Sequence, residues 1–434
     1  MNSIAENYDL GAQIMNAKST LSLLPVISLI APVCMARAEV PDKPVQSSID
    51  ARIAEIRMGD ITVKTKPGAD VNVQQVRHEF LFGTAITNHL ATKHANPMSP
   101  KDREMFIKIL RENFNYAVHE NALKWYDCEK QPGVVDYSVA DEIWQICHDN
   151  NIPMRGHCIF WEKDEFVQSW IKKLNNDQLR AAVVRRAAGV TEHFKGRIKE
   201  FDLNNEMING EFFRRRLGYG IVNEMAWTAK AGNPDAVLFV NDYGILVEGG
   251  YNAGSYLDQI ENLLANGVPI SGIGCQGHFV CSPGNDSSNR GTTSPERVRR
   301  TLDRLAKFNL PIKITETLFS ADTDEQRAKD LRWFFPVCFA HPKVEAILMW
   351  GFWETGHWMP NMAMWKADWT PTEQAKAYQD LVFNKWWTQT QGKADDAGAF
   401  KTRAFFGDYI ITSAGKTQKV TLSKKGKAIE VTFN

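Results

Sequence analysis

Between residue 80 and about residue 387, short apolar runs of β character alternate with helix-length amphipathic runs, eight times over. The β-type runs are residues 80–86, 114–120, 154–160, 200–206, 236–242, 272–279, 311–317 and 344–352. Helix candidates between them include residues 138–150, 177–194 and 294–308. The last opens on Ser294-Pro295-Glu296: a capping residue, a proline at the first helical position and an early acid. Eight strand–helix units predict an α/β fold, a closed (β/α)8 barrel. The competing arrangement, a doubly wound open sheet, calls for a Gly-rich phosphate loop after an early strand, and the sequence has none.

The flanks differ in kind. All thirteen tryptophans lie between Trp125 and Trp387. Residues 50–58 read as helical. Residues 60–66 and 70–77 alternate apolar and polar side chains around Pro67-Gly68, which predicts a hairpin. Residues 388–398 are polar and read as a linker. Residues 405–413, 419–422 and 428–433 alternate again, with turns at Gly415-Lys416 and Lys425-Gly426. A lone hairpin is marginal in water, so the two sets of strands are expected to pack on each other. The resulting division is an N-terminal extension over 39–79, a barrel over 80–387, and a linker with a C-terminal β extension over 388–434.

The segment before residue 39 reads as an export signal. Residues 21–34 are the longest apolar run, with Lys18 before them and Ala36-Arg37-Ala38 after, which predicts cleavage near Ala38. Met15 is a candidate start, because Glu6 and Asp9 are unusual ahead of such a signal. The run is too short for a membrane span of about 20 residues, and Pro25 and Pro32 argue against a buried helix. Cleavage would remove Cys34; of the six remaining cysteines, Cys275 and Cys281 are near enough in sequence to close a small disulfide loop. With 51 basic and 51 acidic side chains the chain lacks the surplus that nucleic-acid binding calls for. No CxxC pair and no HExxH motif is present, so neither a metal nor a cofactor is expected.

Active-site groups of such barrels sit at the C-terminal ends of the strands. There the sequence is polar in nearly every case: His119-Glu120-Asn121, Arg155-Gly156-His157, Asn204-Asn205-Glu206, Asn241-Asp242-Tyr243, Gln276-Gly277-His278 and Thr315-Glu316. Buried carboxylates are costly unless paired or used. Glu206 closes the fourth strand and Glu316 the seventh, on opposite sides of one mouth. Two carboxyl groups flanking a bond are what glycoside cleavage needs, one protonated to donate to the leaving oxygen and one ionised. His119 reads as a hydrogen-bonded strand histidine rather than a catalyst. Asp242 bonds either neighbouring strand ends or substrate, and Glu354 either a sugar or Arg155. Trp350 and Trp358 serve as a sugar wall or as ordinary core aromatics. Asp322, Asp324 and Glu325 mark a helix start.

These strand ends resemble the family 10 glycoside hydrolases, the endo-β-1,4-xylanases. The matches are Glu120-Asn121-x-x-Lys124-Trp125, Arg155-Gly156-His157-x-x-x-Trp161, Asn205-Glu206, Asn241-Asp242-Tyr243, Gly272-Ile273-Gly274-x-Gln276-Gly277-His278, Ile314-Thr315-Glu316, and Trp350-Gly351 with Trp358, in the family's order. The resemblance implies that Glu206 is the acid/base and Glu316 the nucleophile of a retaining mechanism on xylan or xylo-oligosaccharides. It implies that Asn205 bonds the sugar's 2-hydroxyl, with His278 and Gln276 supporting Glu316 and the same sugar. It places Glu120, Asn121, Lys124 and His157 along the glycone subsites, walled by Trp350 and Trp358, and adds Trp161 and Tyr243 as substrate-binding residues. The Gly407-Asp408-Tyr409 region resembles the tail of members with β extensions at both ends. Three positions depart from the family: Leu318 stands where an acid near the supporting histidine is usual, Glu162 replaces a histidine after Trp161, and Phe201 replaces a tryptophan.

Overall fold

The computed structural model describes residues 45–282 and 293–433. The export-signal reading and its cleavage site lie outside these residues. The strands in chain order are β1 (Met58–Lys64), β2 (Asp70–His78), β3 (Leu81–Ile86), β4 (Tyr116–His119), β5 (Met154–Gly156), β6 (Phe160–Trp161), β7 (Glu200–Asn205), β8 (Val237–Asp242), β9 (Gly272–Val280), β10 (Ile312–Phe319), β11 (Val344–Met349), β12 (Gln389–Lys393), β13 (Ala399–Phe405), β14 (Gly407–Ser413), β15 (Lys416–Leu422) and β16 (Ala428–Thr432).

β3 to β11 form one parallel sheet that closes on itself. β3 pairs with β11 at one side and β4 at the other, and β5 pairs with β7 through Arg155↔Glu200 and Gly156↔Phe201. The third barrel strand is split. β5 completes the ring, and β6 returns to β7 through Phe160↔Asn204 and Trp161↔Asn205. Parallel strands covered by helices are buried on both faces, and β9 accordingly has no exposed residue. Phe201, the departure from tryptophan, is fully buried, and its ring lies so close to Gly156 that a Cβ there would sit 2.5 Å away. The expected helices are present as Ser138–Asp149, Asn176–His193 and Pro295–Leu305. Ser294 caps the last through the Arg297 amide, and Asp324 and Glu325 occupy the first turn of the helix Asp324–Phe339.

The flanking segments combine differently from the expected hairpin. β1 lies between β13 and β16, while β2 lies between β12 and β14 in a second sheet, so β1 and β2 do not pair with each other. The polar stretch read as a linker contains β12, which pairs along β2. β13, absent from the strand expectations, pairs along the whole of β1. The two sheets enclose Ile61, Val63, Val71, Val73, Tyr409, Ile411, Leu422 and Val431. Stacking two sheets buries the apolar edge of every strand against an opposite number, whereas a single hairpin leaves it in water.

The sandwich joins the barrel at the end away from the strand C-termini. Arg57, the last residue of α1 (Val45–Arg57), is buried. It donates to the carbonyls of Phe339 (2.8 Å), His341 (2.8 Å) and Val344 (2.7 Å), the last being the first residue of β11. Cys275 and Cys281 form no disulfide. Cys275 lies within β9 and Cys281 just past its end, and at about 3.3 Å per residue the strand between them holds the two beyond bridging distance. No helix among the described residues is long and apolar enough to cross a membrane.

Candidate active site

The backbone turns sharply where β7 ends. Glu206 sits at φ 58, a left-handed conformation rare for residues other than glycine, and its amide donates to the Asn241 carbonyl at 2.8 Å. The turn aims the carboxylate into the mouth. Oε1 accepts from Gln276 Nε2 at 3.1 Å and Oε2 from Trp161 Nε1 at 3.1 Å. Lys163 Nζ forms an ion pair with Oε2 at 3.3 Å.

Glu316 sits midway along β10, 3% exposed. Its Oε1 accepts from Asn241 Nδ2 at 2.7 Å, and His278 Nε2 lies 2.9 Å from Oε2. The same Asn241 amide reaches Asn205 Oδ1 at 3.0 Å, and Thr315 Oγ donates to Asn241 Oδ1 at 2.5 Å. His157 Nδ1 is 4.0 Å from Glu316 Oε1 and 2.8 Å from Asp202 Oδ2, and Asp202 in turn accepts from Arg155. Burial alone would push the Glu316 carboxyl up. The charges of His157, His278 and Lys124 together with the His278 hydrogen bond more than offset it, leaving the group at about 2. Glu316 is therefore held as a carboxylate, the form a nucleophile requires.

The remaining expected residues gather on the same mouth. Lys124 Nζ donates to Asn121 Oδ1 at 3.0 Å and stands 4.4 Å over the Trp161 ring. Glu120 is buried beside them, and burial raises its carboxyl against the opposing charges of Lys124 and His89. Trp350 meets His157 (5.1 Å) and His278 (6.0 Å) edge-on, and Trp358 meets His278 at 5.5 Å. Trp350 is 6% exposed and belongs to an apolar cluster, so it is a core residue; Trp358 is 47% exposed and is not one. Tyr243 lies beneath Lys163 Nζ, 5.3 Å from its ring.

Several open points resolve. His119 is buried with Nε2 3.0 Å from the Ala140 carbonyl, away from the reacting carboxylates. Asp242 accepts from the amides of Ile208 and Tyr243, both at 2.9 Å, bracing the turns after β7 and β8. Burial pushes Asp242 up to about 7, the two amides and Lys163 opposing and the Glu206 charge adding to the rise. Glu354 does not pair with Arg155: its carboxylate accepts from the Ala367 amide at 2.7 Å, and Arg155 pairs with Asp202. Glu162 is fully buried and accepts from Asn204 Nδ2 (2.8 Å), Arg214 Nε (2.7 Å) and the Phe213 and Arg214 amides. A histidine could accept at only one nitrogen, so the substitution goes together with Arg214. Two residues escaped sequence reasoning. Asp202 carried a signal, an acid in the middle of an otherwise apolar strand. Lys163 carried none, because a lysine after a strand is an ordinary surface residue.

Comparisons with known proteins bear on the family and the fold. The model of Glycosyl hydrolase family 10 matches residues 73–385. The chain is 37% identical to the Anti-sigma-I factor RsgI6 of Acetivibrio thermocellus over 384 residues, 87% of this chain and 46% of that protein. It is 38% identical to Endo-1,4-beta-xylanase 1 of Arabidopsis thaliana over 360 residues, 81% of this chain and 36% of that protein. The chain thus spans less than half the length of these relatives. The crystal structure of xylanase 10B from Thermotoga petrophila RKU-1 in complex with xylobiose has the same fold, with a TM-score of 0.61 and 24% identity over 71% of this chain and 95% of that one. With the family model matching residues 73–385, most of the chain, this chain belongs to Glycosyl hydrolase family 10.

Proposed function

We propose that this chain is a retaining endo-1,4-β-xylanase that cleaves internal bonds of xylan by double displacement. The observation that carries the reading is the contrast between the two carboxylates: Glu316 receives His278 and Asn241 and is held ionised, while Glu206 stands at the strand end across the mouth. In the first step Glu316 attacks the anomeric carbon. The glycosidic C–O bond breaks, Glu206 gives its proton to the leaving oxygen, and an ester links Glu316 to the sugar. In the second, Glu206 takes a proton from water, the water oxygen attacks the same carbon, and the ester breaks to restore Glu316. Asn205 is suited to bond the 2-hydroxyl, since its Oδ1 already receives the Asn241 amide that also holds Glu316. Glu120, Asn121, Lys124, His157, Trp350 and Trp358 line the glycone side, and no cofactor enters the mechanism.

The test is Glu316→Ala assayed on β-1,4-xylan, with product sizing. Loss of nearly all turnover with the fold retained is expected; retention of most activity overturns the assignment. A polysaccharide panel separates xylan from another β-1,4 glycan. A second reading, a sugar-binding barrel without turnover, is favoured by one observation, the anti-sigma factor name of a relative 37% identical. Tight xylan binding with no reducing ends released would establish it. Export to the periplasm or medium is part of the proposal and rests on residues 21–38 of the sequence alone; fractionation of the full chain tests it.

A further inference from the structure

A groove of about 520 Å³ lies on the flank of the barrel, within the range of about 300–1,000 Å³ usual for small-molecule sites. It runs between two outer helices, Ile221–Gly232 and Ala253–Ala265. Its lining includes Tyr219, in the connection after β7, and Val268, in the connection that leads into β9. The first connection leaves the C-terminal end of a strand and the second enters the N-terminal end of one, so the groove descends the outer wall instead of crossing the mouth. Among the described residues, no side chain that lines it bonds the carboxylate of Glu206 or Glu316.

The floor of the groove is apolar, with Met207, Val222 and Val268 all buried. Its sides are amides and a hydroxyl. Ser255, Gln259 and Asn262 follow one another at intervals of four and three residues, which puts them on one face of their helix. Asn223 stands on the other helix. Its Nδ2 donates to the Asn266 carbonyl at 3.3 Å, and its Oδ1 is buried without a partner among the described residues. Neither Ser255 nor Gln259 has a side-chain partner among the described residues. One turn on from Asn223, on the same face of the helix, Trp227 is 55% exposed and sets a broad apolar surface beside the amides. The charged groups of the lining are Asp258 and Arg214, and Arg214 is already paired with Glu162. A charged partner would find little counter-charge here. Amides that both give and accept hydrogen bonds, next to an apolar floor and a flat aromatic ring, fit a molecule with hydroxyls on its edges and C–H groups on its faces.

We infer that this groove is a second carbohydrate site, separate from the mouth, which takes a neutral chain of β-1,4-linked pyranoses and holds the enzyme on polymer. The inference rests on the reading of the mouth as a xylan-cleaving site. Two sites that engage one polymer raise the affinity for it by about 10²–10⁴-fold over either alone. The test uses the full chain in the Glu316→Ala background, with and without Trp227→Ala plus Gln259→Ala, and measures binding to insoluble neutral xylan. Loss of the groove lowers that affinity at least about tenfold. In the otherwise wild-type chain the same pair of substitutions leaves kcat/KM on xylotetraose unchanged, because so short a chain fills the mouth alone. Asn262→Arg, at an exposed position, obstructs the groove without entering the core and has the same two effects. Unchanged xylan affinity in either variant overturns the inference, and so does an equal loss of xylan affinity and of xylotetraose turnover. Failure of the xylanase reading looks different: the wild type then releases no reducing ends, while the ratio of affinities in the Glu316→Ala background still decides the groove.

Discussion

His278 presents Nε2 to Glu316 Oε2 at 2.9 Å, while its other ring nitrogen is buried and meets no hydrogen-bond partner among the described residues. Leu318, two positions after Glu316 on β10, is fully buried with Phe279, Leu348 and Trp350 and offers that nitrogen no acceptor. An acid at 318 would both accept from Nδ1 and favour the imidazolium. We predict that Leu318→Asp raises the His278 titration midpoint, read by NMR of the ring protons, and lowers thermal stability through burial of a carboxylate in an apolar cluster. An unmoved His278 midpoint would show that position 318 does not reach the ring.

The state of Glu316 makes its own pH prediction. Its folded value of about 2 lies below the ordinary 4.5, so the carboxylate contributes stability that is full above pH 4.5 and is lost as pH falls through 2. A displacement of that size corresponds to roughly 3 kcal/mol. Denaturant unfolding of wild type and Glu316→Gln across pH is expected to show wild type ahead at pH 6, with the gap closing between 4.5 and 2. A gap that widens on acidification would reverse the sign assigned here.

Glu162 and Arg214 form a buried ion pair with Nε 2.7 Å from Oε1. Arg214 also donates to the carbonyls of Met207 and Gly210, in the turn that follows Glu206. Glu162→Gln removes the guanidinium's counter-charge while its two carbonyl acceptors remain, and a loss of about 3 kcal/mol is expected, measured by chemical denaturation. Activity should fall as well, because the turn carrying Glu206 loses its anchor; an active variant of unchanged stability would contradict this role.

The proton donor is separable from the nucleophile. Glu206→Ala is expected to slow hydrolysis of xylan and other substrates with poor leaving groups by orders of magnitude while sparing the first step on aryl xylosides with good ones. Equal losses on both would remove the acid role from Glu206.

The barrel and the identity of both carboxylates could be read from residue order because their signals are local. A parallel strand buried on both faces is a continuous apolar run, and polar residues that close such runs stand out against it. What only the folded chain decided concerns partners distant in sequence. Residues 60–77 look like a hairpin by alternation alone, yet β1 takes β13 and β16 and β2 takes β12 and β14, over 300 residues away. Alternation says that one face of a strand is apolar and leaves open which strand covers it. The same holds at the mouth, where Lys163 becomes a neighbour of Glu206 and Glu354 is directed to the Ala367 amide instead of Arg155. Pairings between charged groups depend on where the loops between strands come to rest, and that is set by packing across the whole ring rather than by the spacing of any one segment.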